Sequence, residues 1–299
     1  MIRVWLSGGQ SNGTGWATDN NIGGYSPGVY ALPNEYSGTT SQIKVYKSGS
    51  FQTLVPFGDA STGGYNFYGS SQNTISMEHS FFNKLSLQFP DDDFYNIKYS
   101  YGGRSISQLQ GSTQATFTSG VDKLISDGQP YTIEGLLWYQ GESDQHSQSN
   151  VDTYPAQLTT LIDHCVSISS TDLKVFIVRP NYLTGTAYQD EWNGMIYDYV
   201  RNESGVTASQ KILFSADDLE TPDGEGYIHV AGTGFFRLGT RFYNQFMNYG
   251  SNRKTIGGKT FIVGGKYKTL RKVYDDETFT PQNTGQSTVR PVVSPEWPT

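Results

Sequence analysis

The sequence predicts an α/β domain in which helices cover both faces of a parallel sheet. Short apolar runs rich in β-branched and aromatic residues alternate with longer segments whose apolar residues recur at helical spacing, and this alternation is typical of that class. At 299 residues, the chain is long enough for one large domain, or for a domain and a small appendage.

The elements follow one another in that alternating order. The segment 12–73 is rich in Gly, Asn and Tyr and holds one strand candidate, which is typical of a loop that shapes a site or contacts a partner. The predicted strands are 3–6, 43–46, 95–101, 134–139, 174–178 and 211–214. The predicted helices contain the ranges in which apolar residues recur at helical spacing, which are 75–89, 121–125, 158–165, 192–200 and 234–247.

The pattern changes near residue 250. We therefore predict a main domain over residues 1–250 and a C-terminal extension over 251–299. The run KTFIVGGKYKTLRKVY alternates like one or two edge strands, whereas the last 25 residues lack the periodicity of a packed element. We expect that final stretch to be extended or disordered.

Composition excludes several function classes. The 21 Lys and Arg against 28 Asp and Glu form no basic stripe that would indicate nucleic acid, and no apolar run approaches the ~20 residues of a membrane helix. The single Cys165 leaves no internal disulfide and is expected to be a small buried residue. A composition rich in Gly, Ser, Thr, Asn and Tyr and low in charge indicates a protein that works outside a cytoplasm. Since no signal peptide is visible, we expect an extracellular protein whose leader was removed, or a virion-associated one. The sequence permits an oligomer but does not indicate one.

The stretch LSGGQ, from Leu6, matches the signature of ABC-type ATPases, but the rest of the chain excludes that interpretation. Such an ATPase needs a G-x-x-x-x-G-K-[ST] loop upstream of its signature to hold phosphates, and five residues precede Leu6. The nearest match elsewhere is the run Gly258-Lys259-Thr260, and Arg253 stands where its first glycine should be.

The alternative is that the turn presents Ser11 as a nucleophile. A serine needs a general base and donors for the oxyanion. Three polar clusters, GGQSNG, YGGRSI and YQGESD, each follow an apolar run directly. Because the carboxyl ends of parallel strands meet at one edge of a sheet, we expect these clusters to form a single site.

The base should be one of four histidines. His79 and His164 fall within helical segments, and His146 leads into a polar run typical of a solvated loop. His229 follows the glycine-rich loop TPDGEGYI and stands just ahead of the last helix. We predict that His229 is the base, with activity falling below about pH 6.5, the ordinary histidine pKa.

In order and spacing, the blocks GQSN, GGRSI, WYQGESD and IHVAGTGFFRLGTR resemble those of SGNH hydrolases. More narrowly, they are similar to carbohydrate esterases related to sialate O-acetylesterase and acetylxylan esterase. The resemblance spans Leu6 to Arg241. It implies a flavodoxin-like three-layer α/β/α fold with a central parallel sheet. It also implies an acetylated carbohydrate as substrate, with no metal or cofactor.

The resemblance also assigns residues. Ser11 would be the nucleophile, with its own N–H as one oxyanion donor. Gly103 would be the second donor, with Gly102 as a register alternative, because glycine lets the backbone approach the substrate closely. The Gln140 side chain would be the third donor, and His229 the base.

The triad acid is where the sequence departs from the commonest pattern. The usual aspartate position, three residues before the histidine, is Gly226. We prefer Glu142, with Asp223 and Glu225 as alternatives closer to the histidine in sequence. Asp144 is expected to hold the shape of its loop.

Two further departures bear on the substrate. Arg104 stands beside the oxyanion glycine, where it could contact an acidic sugar or pair with a nearby carboxylate. Gly13 stands where the family often has Met, and its missing side chain is expected to widen the pocket. Some aromatic residues of the first loop could stack on sugar rings: Trp16, Tyr25, Tyr30, Tyr65 and Tyr68.

Two other functions stay open at this point. The chain could be a catalytically inactive carbohydrate-binding adhesin on the same scaffold, for instance a viral tail component. It could also be a lipase or thioesterase of the same superfamily, although the polar loops around the motifs disfavour a large apolar pocket.

Overall fold

The computed structural model has the three-layer architecture that the sequence predicts. A central sheet is covered by helices on both faces. The structure describes residues 1–15, 17–18, 41–54, 74–169, 173–181, 186–201, 210–219, 228–230, 232–251, 253–256 and 259–262.

Seven strands form the central sheet, and two pairs of short strands lie apart from it. Most of the central strands are buried apolar runs, as expected for a sheet that is covered on both faces. The strands are β1 (Ile2–Gly9), β2 (Ala17–Thr18), β3 (Ile43–Lys47), β4 (Ser50–Thr53), β5 (Thr74–Ile75), β6 (Asp93–Ser100), β7 (Tyr131–Tyr139), β8 (Lys174–Arg179), β9 (Gln210–Ser215), β10 (Arg253–Ile256) and β11 (Lys259–Ile262).

The order of the central sheet is β4-β3-β6-β1-β7-β8-β9, and every neighbouring pair is parallel except β3 and β4. Without the β3–β4 edge, the order is that of flavodoxin, with β1 between the second and third core strands. The predicted flavodoxin-like SGNH hydrolase fold is therefore confirmed.

This order places a topological switch point at β1. After β1, the chain forms β3, β4 and β6 on one side of β1 and then crosses to β7 on the other side. The connections that leave these strands diverge, and a crevice opens beyond their carboxyl ends. Ser11 follows β1 and Gln140 follows β7, so two of the polar clusters flank this crevice.

Helices cover the sheet on both faces. The residues of α2 and α6 pack on one face, and those of α3, α4 and α5 pack on the other. Among the described residues, no helix has the length and apolar character needed to cross a membrane. The helices are α1 (Ser11–Thr14), α2 (Met77–Gln88), α3 (Ile106–Ser126), α4 (Gln148–Ser167), α5 (Gln189–Arg201) and α6 (Gly232–Ser251).

Aromatic residues dominate both cores. On the α2–α6 face, the indole of Trp5 meets the ring of Phe81 edge to face at 4.8 Å. On the other face, Trp138 Nε1 donates to the Tyr154 hydroxyl at 3.1 Å, and that hydroxyl donates to the Gln140 carbonyl at 3.1 Å. The second contact fixes the carboxyl end of β7 from within the core.

All six predicted central strands and all five predicted helices are present, most of them longer than their apolar runs indicated. The edge strand β4 was missed because its residues, SFQT, lack an apolar alternation. Three predicted structural residues are buried or packed. His79 forms a capping box with Ser76, His164 Nε2 lies 3.2 Å from Thr118 Oγ1, and Cys165 is fully buried.

Of the one or two edge strands predicted in the run KTFIVGGKYKTLRKVY, residues 259–274, the described residues include β11 at its start. Its antiparallel partner, β10, precedes that run and was not predicted. Most of the long segment 12–73 and everything after residue 262 lie outside the described residues. The proposed division at residue 250 stays a prediction.

Candidate active site

Ser11 stands at the first position of α1, immediately after the turn that ends β1. The turn is held by its own backbone, because Thr14 N–H donates to the Gln10 carbonyl at 2.8 Å and Gln10 N–H donates to the Tyr139 carbonyl at 3.3 Å. As the first residue of the helix, Ser11 has no intrahelical acceptor for its N–H. Its side chain is largely buried, with 5% exposed.

The imidazole of His229 lies beside this serine. His229 Nε2 is 2.9 Å from Ser11 Oγ, although the two residues are 218 positions apart in sequence. His229 lies three residues ahead of the first residue of α6, Gly232, so the packed helix holds the loop that carries it. A hydroxyl and an imidazole at this distance can exchange a proton.

Asn12 ties the histidine loop to the nucleophile turn. Its Nδ2 donates to the Ile228 carbonyl at 2.8 Å, and its Oδ1 accepts from Val230 N–H at 2.9 Å. Both backbone neighbours of His229 are therefore held by one fully buried side chain. No role was predicted for Asn12 from the sequence. Its position in GQSN, directly after the serine, is the feature that could have indicated one.

Glu142 has a different contact from the expected one. Its Oε1 accepts from Asn12 Nδ2 at 2.7 Å, whereas its buried Oε2 has no hydrogen-bond partner among the described residues, His229 included. Glu142 thus reaches the histidine loop through the Asn12 amide. The two alternative acids, Asp223 and Glu225, lie outside the described residues.

Burial shifts the ionisation of these groups. Removal from water raises the pKa of Glu142 to about 7, opposed in part by hydrogen bonds to the carboxylate. It raises the pKa of Asp144 to about 6 and lowers the pKa of His229 to about 4. The imidazole is therefore neutral near pH 7, which is the form that accepts a proton from a serine. The expected loss of activity near pH 6.5 moves to lower pH.

The loop after β6 carries the proposed oxyanion glycine. Gly103 has φ +67°, a left-handed conformation that favours glycine. This loop is fastened to the loop after β7 at two points. Gln140 Nε2 donates to the Arg104 carbonyl at 3.1 Å, and Asp144 Oδ2 accepts from Ile106 N–H at 3.1 Å. Asp144 holds its loop in shape, in the way the sequence indicated.

The amide of Gln140 is already engaged in the structure. Besides the Arg104 carbonyl, its Nε2 contacts Gln10 Oε1 at 3.2 Å and Asp144 Oδ2. Its Oε1 is buried without a hydrogen-bond partner among the described residues. This donor joins the three polar clusters to one another, and only an exchange of one acceptor would let it reach an oxyanion.

Arg104 is exposed, and its guanidinium lies 5.2 Å from the centre of the Tyr101 ring. Within the described part of the chain, no carboxylate lies at ion-pair distance from Arg104, so the expected alternative of a pair with Glu142 or Asp144 is not formed.

Gly13 does not widen the pocket, and that expectation was wrong. A Cβ at this position would lie 2.9 Å from the Tyr139 carbonyl oxygen and 3.0 Å from that of Gly8. The glycine lets α1 pack against the ends of β1 and β7. The aromatic residues considered for stacking, and Gly226, lie outside the described residues.

Two further residues that were considered for the site differ in their exposure to solvent. Gly102, the register alternative to Gly103, is buried, and His146 is exposed on its loop. Among the residues that the structure describes, no group of three His, Cys, Asp or Glu side chains is arranged to hold a metal ion.

A flavodoxin-like sheet whose switch point holds a Ser–His pair defines the class of SGNH hydrolases. A sequence model of the carbohydrate esterases described as sialic acid-specific acetylesterases matches residues 1–248. The chain therefore belongs to this family and is an esterase of the carbohydrate-esterase class. No curated protein sequence matches the chain significantly.

Solved structures agree with this fold. A protein from Arabidopsis thaliana superposes with a TM-score of 0.61 at 16% identity, over 82% of this chain and 97% of that one. NanS superposes with a TM-score of 0.58 at 13% identity, over 83% and 97%. A carbohydrate acetylesterase from Xanthomonas citri superposes with a TM-score of 0.53 at 16% identity, over 84% of this chain and 59% of that one.

Proposed function

We propose that the protein removes O-acetyl groups from a polysaccharide or a sialic-acid-type sugar through a serine acyl-enzyme. The observation that carries this proposal is the 2.9 Å separation between His229 Nε2 and Ser11 Oγ at the switch point of the sheet. Family membership supports the carbohydrate ester as substrate class.

The reaction proceeds in two steps. Neutral His229 takes the proton of Ser11 Oγ, which attacks the acetyl carbonyl; the C–O bond to the sugar then breaks, and the sugar oxygen leaves with that proton. In the second step, a water molecule gives a proton to His229 and attacks the acyl carbon. Acetate leaves, and Ser11 Oγ regains its proton.

The oxyanion would be held chiefly by backbone. The N–H of Ser11 starts α1, and the N–H of Gly103 lies in the loop fastened by Gln140 and Asp144. One such donor is typically worth about 3 kcal/mol of the barrier. Gln140 would contribute by positioning this loop and, after exchanging one acceptor, as a third donor.

The contacts of Glu142 favour an indirect role. A triad acid accepts the Nδ1–H of the histidine, whereas Glu142 accepts from Asn12. We therefore assign Glu142 to the support of the histidine loop through Asn12. Asp223 and Glu225 stay candidates for the triad acid itself.

Arg104 would select the substrate. An exposed guanidinium next to the oxyanion loop can bind the carboxylate of an acidic sugar in a bidentate manner. Arg104→Ala should therefore slow hydrolysis of acetylated acidic glycans more than that of neutral ones. An equal loss on both would deny Arg104 this role. An extracellular or virion-associated setting, where such glycans occur, stays part of the proposal.

The test is acetate release from p-nitrophenyl acetate and from acetylated glycans by the wild type and by Ser11→Ala. We expect the variant to lose about 10⁴-fold in kcat. Ser126→Ala, at the exposed end of α3, is the matched control and should equal the wild type. Glycan binding without acetate release in the wild type would instead support the inactive adhesin, and a strong preference for long acyl chains would support a lipase.

A further inference from the structure

A buried ion pair lies beside the nucleophile turn. Lys98 on β6 and Glu78 in the first turn of α2 approach to 2.9 Å between Nζ and Oε1. The side chains are 4% and 0% exposed. None of the steps proposed above uses either group.

The same lysine reaches the helix that carries Ser11. Lys98 Nζ donates to the Thr14 carbonyl at 3.3 Å. Thr14 is the last residue of α1, so its carbonyl belongs to the orphan acceptors that the end of a helix leaves without intrahelical donors. A cation at this end also complements the helix dipole.

The helix α1 cannot hold its own position. Four residues form little more than one turn, and a single turn is unfavourable without external contacts. Asn12 ties the turn to the histidine loop and to Glu142. Lys98, on β6, contacts the last residue of α1 from a neighbouring strand.

Stability alone gives no reason to keep this pair. Two buried charges lose more hydration than they commonly regain, and an apolar pair of similar volume is often as stable. Glu78 Oε2 has no hydrogen-bond partner within the described part of the chain, so the pair is also incompletely satisfied. Burial lowers the pKa of Lys98, and the neighbouring carboxylate opposes that shift.

We propose that Lys98 is a positioning residue for the nucleophile, in that its Nζ holds the end of α1 through the Thr14 carbonyl while Glu78 balances the buried charge. This inference rests on the proposed function, because it concerns the placement of Ser11 for attack. Misplacement of a reacting group by about 1 Å can cost a hundredfold in rate.

The decisive variant is Lys98→Met/Glu78→Met, which removes both charges at similar volume. We expect it to fold with a melting temperature close to that of the wild type. Its kcat on p-nitrophenyl acetate should fall by about ten- to a hundredfold while KM stays nearly constant. The rate at which a fluorophosphonate labels Ser11 should fall in parallel. Glu78→Gln, which keeps Lys98 in place, should lose less kcat than the double variant.

Lys211→Met is the matched control. Lys211 Nζ, on β9, donates to the Tyr199 carbonyl near the end of α5 at 3.0 Å, a similar contact to a helix without a proposed catalytic residue. It should keep the wild-type kcat. If the double variant keeps the wild-type kcat and labelling rate, Lys98 has no positioning role. If Glu78→Gln loses as much as the double variant, the contact to Thr14 is not the cause. A wild type that neither hydrolyses acetate esters nor is labelled at Ser11 would instead refute the proposed function.

Discussion

Two groups of ionisable side chains at opposite ends of the central strands differ in whether an opposite charge accompanies them. At the amino-terminal end, Arg3 lies 3.1 Å from Glu134, which also lies 3.4 Å from Lys174, and all three side chains are partly exposed. At the carboxyl end, Glu142 is fully buried with no cation at ion-pair distance among the described residues, and burial raises its pKa to about 7.

This difference distinguishes charged groups that serve the fold from ionisable groups that serve the reaction. Paired, partly hydrated ions at a surface contribute little and are easily replaced. Ionisable groups that are buried without an opposite charge carry shifted pKa values, and such groups cluster at functional sites. The carboxyl end is therefore the place where substitution should change the reaction, and the amino-terminal end should tolerate substitution.

The largest effect is expected at the base. His229→Gln removes the proton acceptor of Ser11 and should lower kcat by about 10²- to 10⁴-fold, measured with p-nitrophenyl acetate. His146→Gln changes an exposed histidine near the end of β7 and serves as the control. Equal activities of the two variants would contradict the role of His229.

The second largest effect is expected at Asn12, which ties the histidine loop to the nucleophile turn. Asn12→Asp turns the donor that faces Glu142 Oε1 and the Ile228 carbonyl into an acceptor, so the histidine loop should lose its position. We expect kcat to fall by roughly a hundredfold and the free energy of unfolding by about 1–3 kcal/mol. Kinetics and urea unfolding measure both. A variant that loses stability but keeps its kcat would show that Asn12 does not position the base.

Glu142→Gln should affect stability more than rate. Because the folded-state pKa of about 7 lies above the ordinary glutamate value of 4.5, the folded protein binds more protons than the unfolded chain between these pH values. The contribution of Glu142 to the free energy of unfolding thus falls as pH rises through this window.

Glu142→Gln lacks this pH-dependent loss. Between pH 4 and pH 8, the free energy of unfolding of the variant should therefore rise by roughly 3 kcal/mol relative to that of the wild type, as measured by urea unfolding. Its kcat should stay within about tenfold of the wild type, whereas loss of a triad acid can cost about 10⁴-fold. If kcat fell by that much in Glu142→Gln, but not in Asp223→Asn or Glu225→Gln, Glu142 would be the triad acid.

The pH dependence of kcat/KM should show a smaller change. Since burial lowers the pKa of His229 to about 4, the neutral base persists at pH 5 and activity falls only as pH approaches 4. Hydrolysis of p-nitrophenyl acetate between pH 4 and 8 measures this profile. A midpoint near pH 6.5 would mean that the imidazole keeps its ordinary hydration.

The smallest effect belongs to the amino-terminal end. Lys174→Met leaves Glu134 paired with Arg3 and should change the free energy of unfolding by less than about 1 kcal/mol. Its kcat should equal that of the wild type. A clear drop in kcat would show that the two ends of the sheet are coupled.

The alternation of apolar runs with helical segments predicted a parallel sheet, and the resemblance to SGNH hydrolases implied its flavodoxin-like order. The Ser11–His229 pairing could be anticipated from the polar cluster after the first strand, from the place of His229 ahead of the last helix, and from the same resemblance. The edge strand β4 could not, since its four residues carry no apolar alternation. The side-chain contacts within the site could not be predicted from the sequence either. Whether Glu142 meets His229 or Asn12, and whether Gln140 points at a substrate or at Gln10, depends on loop geometry that residue spacing does not encode.

The acyl-enzyme on Ser11 can be detected by intact-protein and peptide mass spectrometry of the enzyme, quenched during turnover of p-nitrophenyl acetate. We expect an added acetyl group on Ser11 in the wild type and none in His229→Gln. An acetyl group on another residue, or turnover with no adduct on Ser11 under conditions where deacylation is slow, would contradict this expectation.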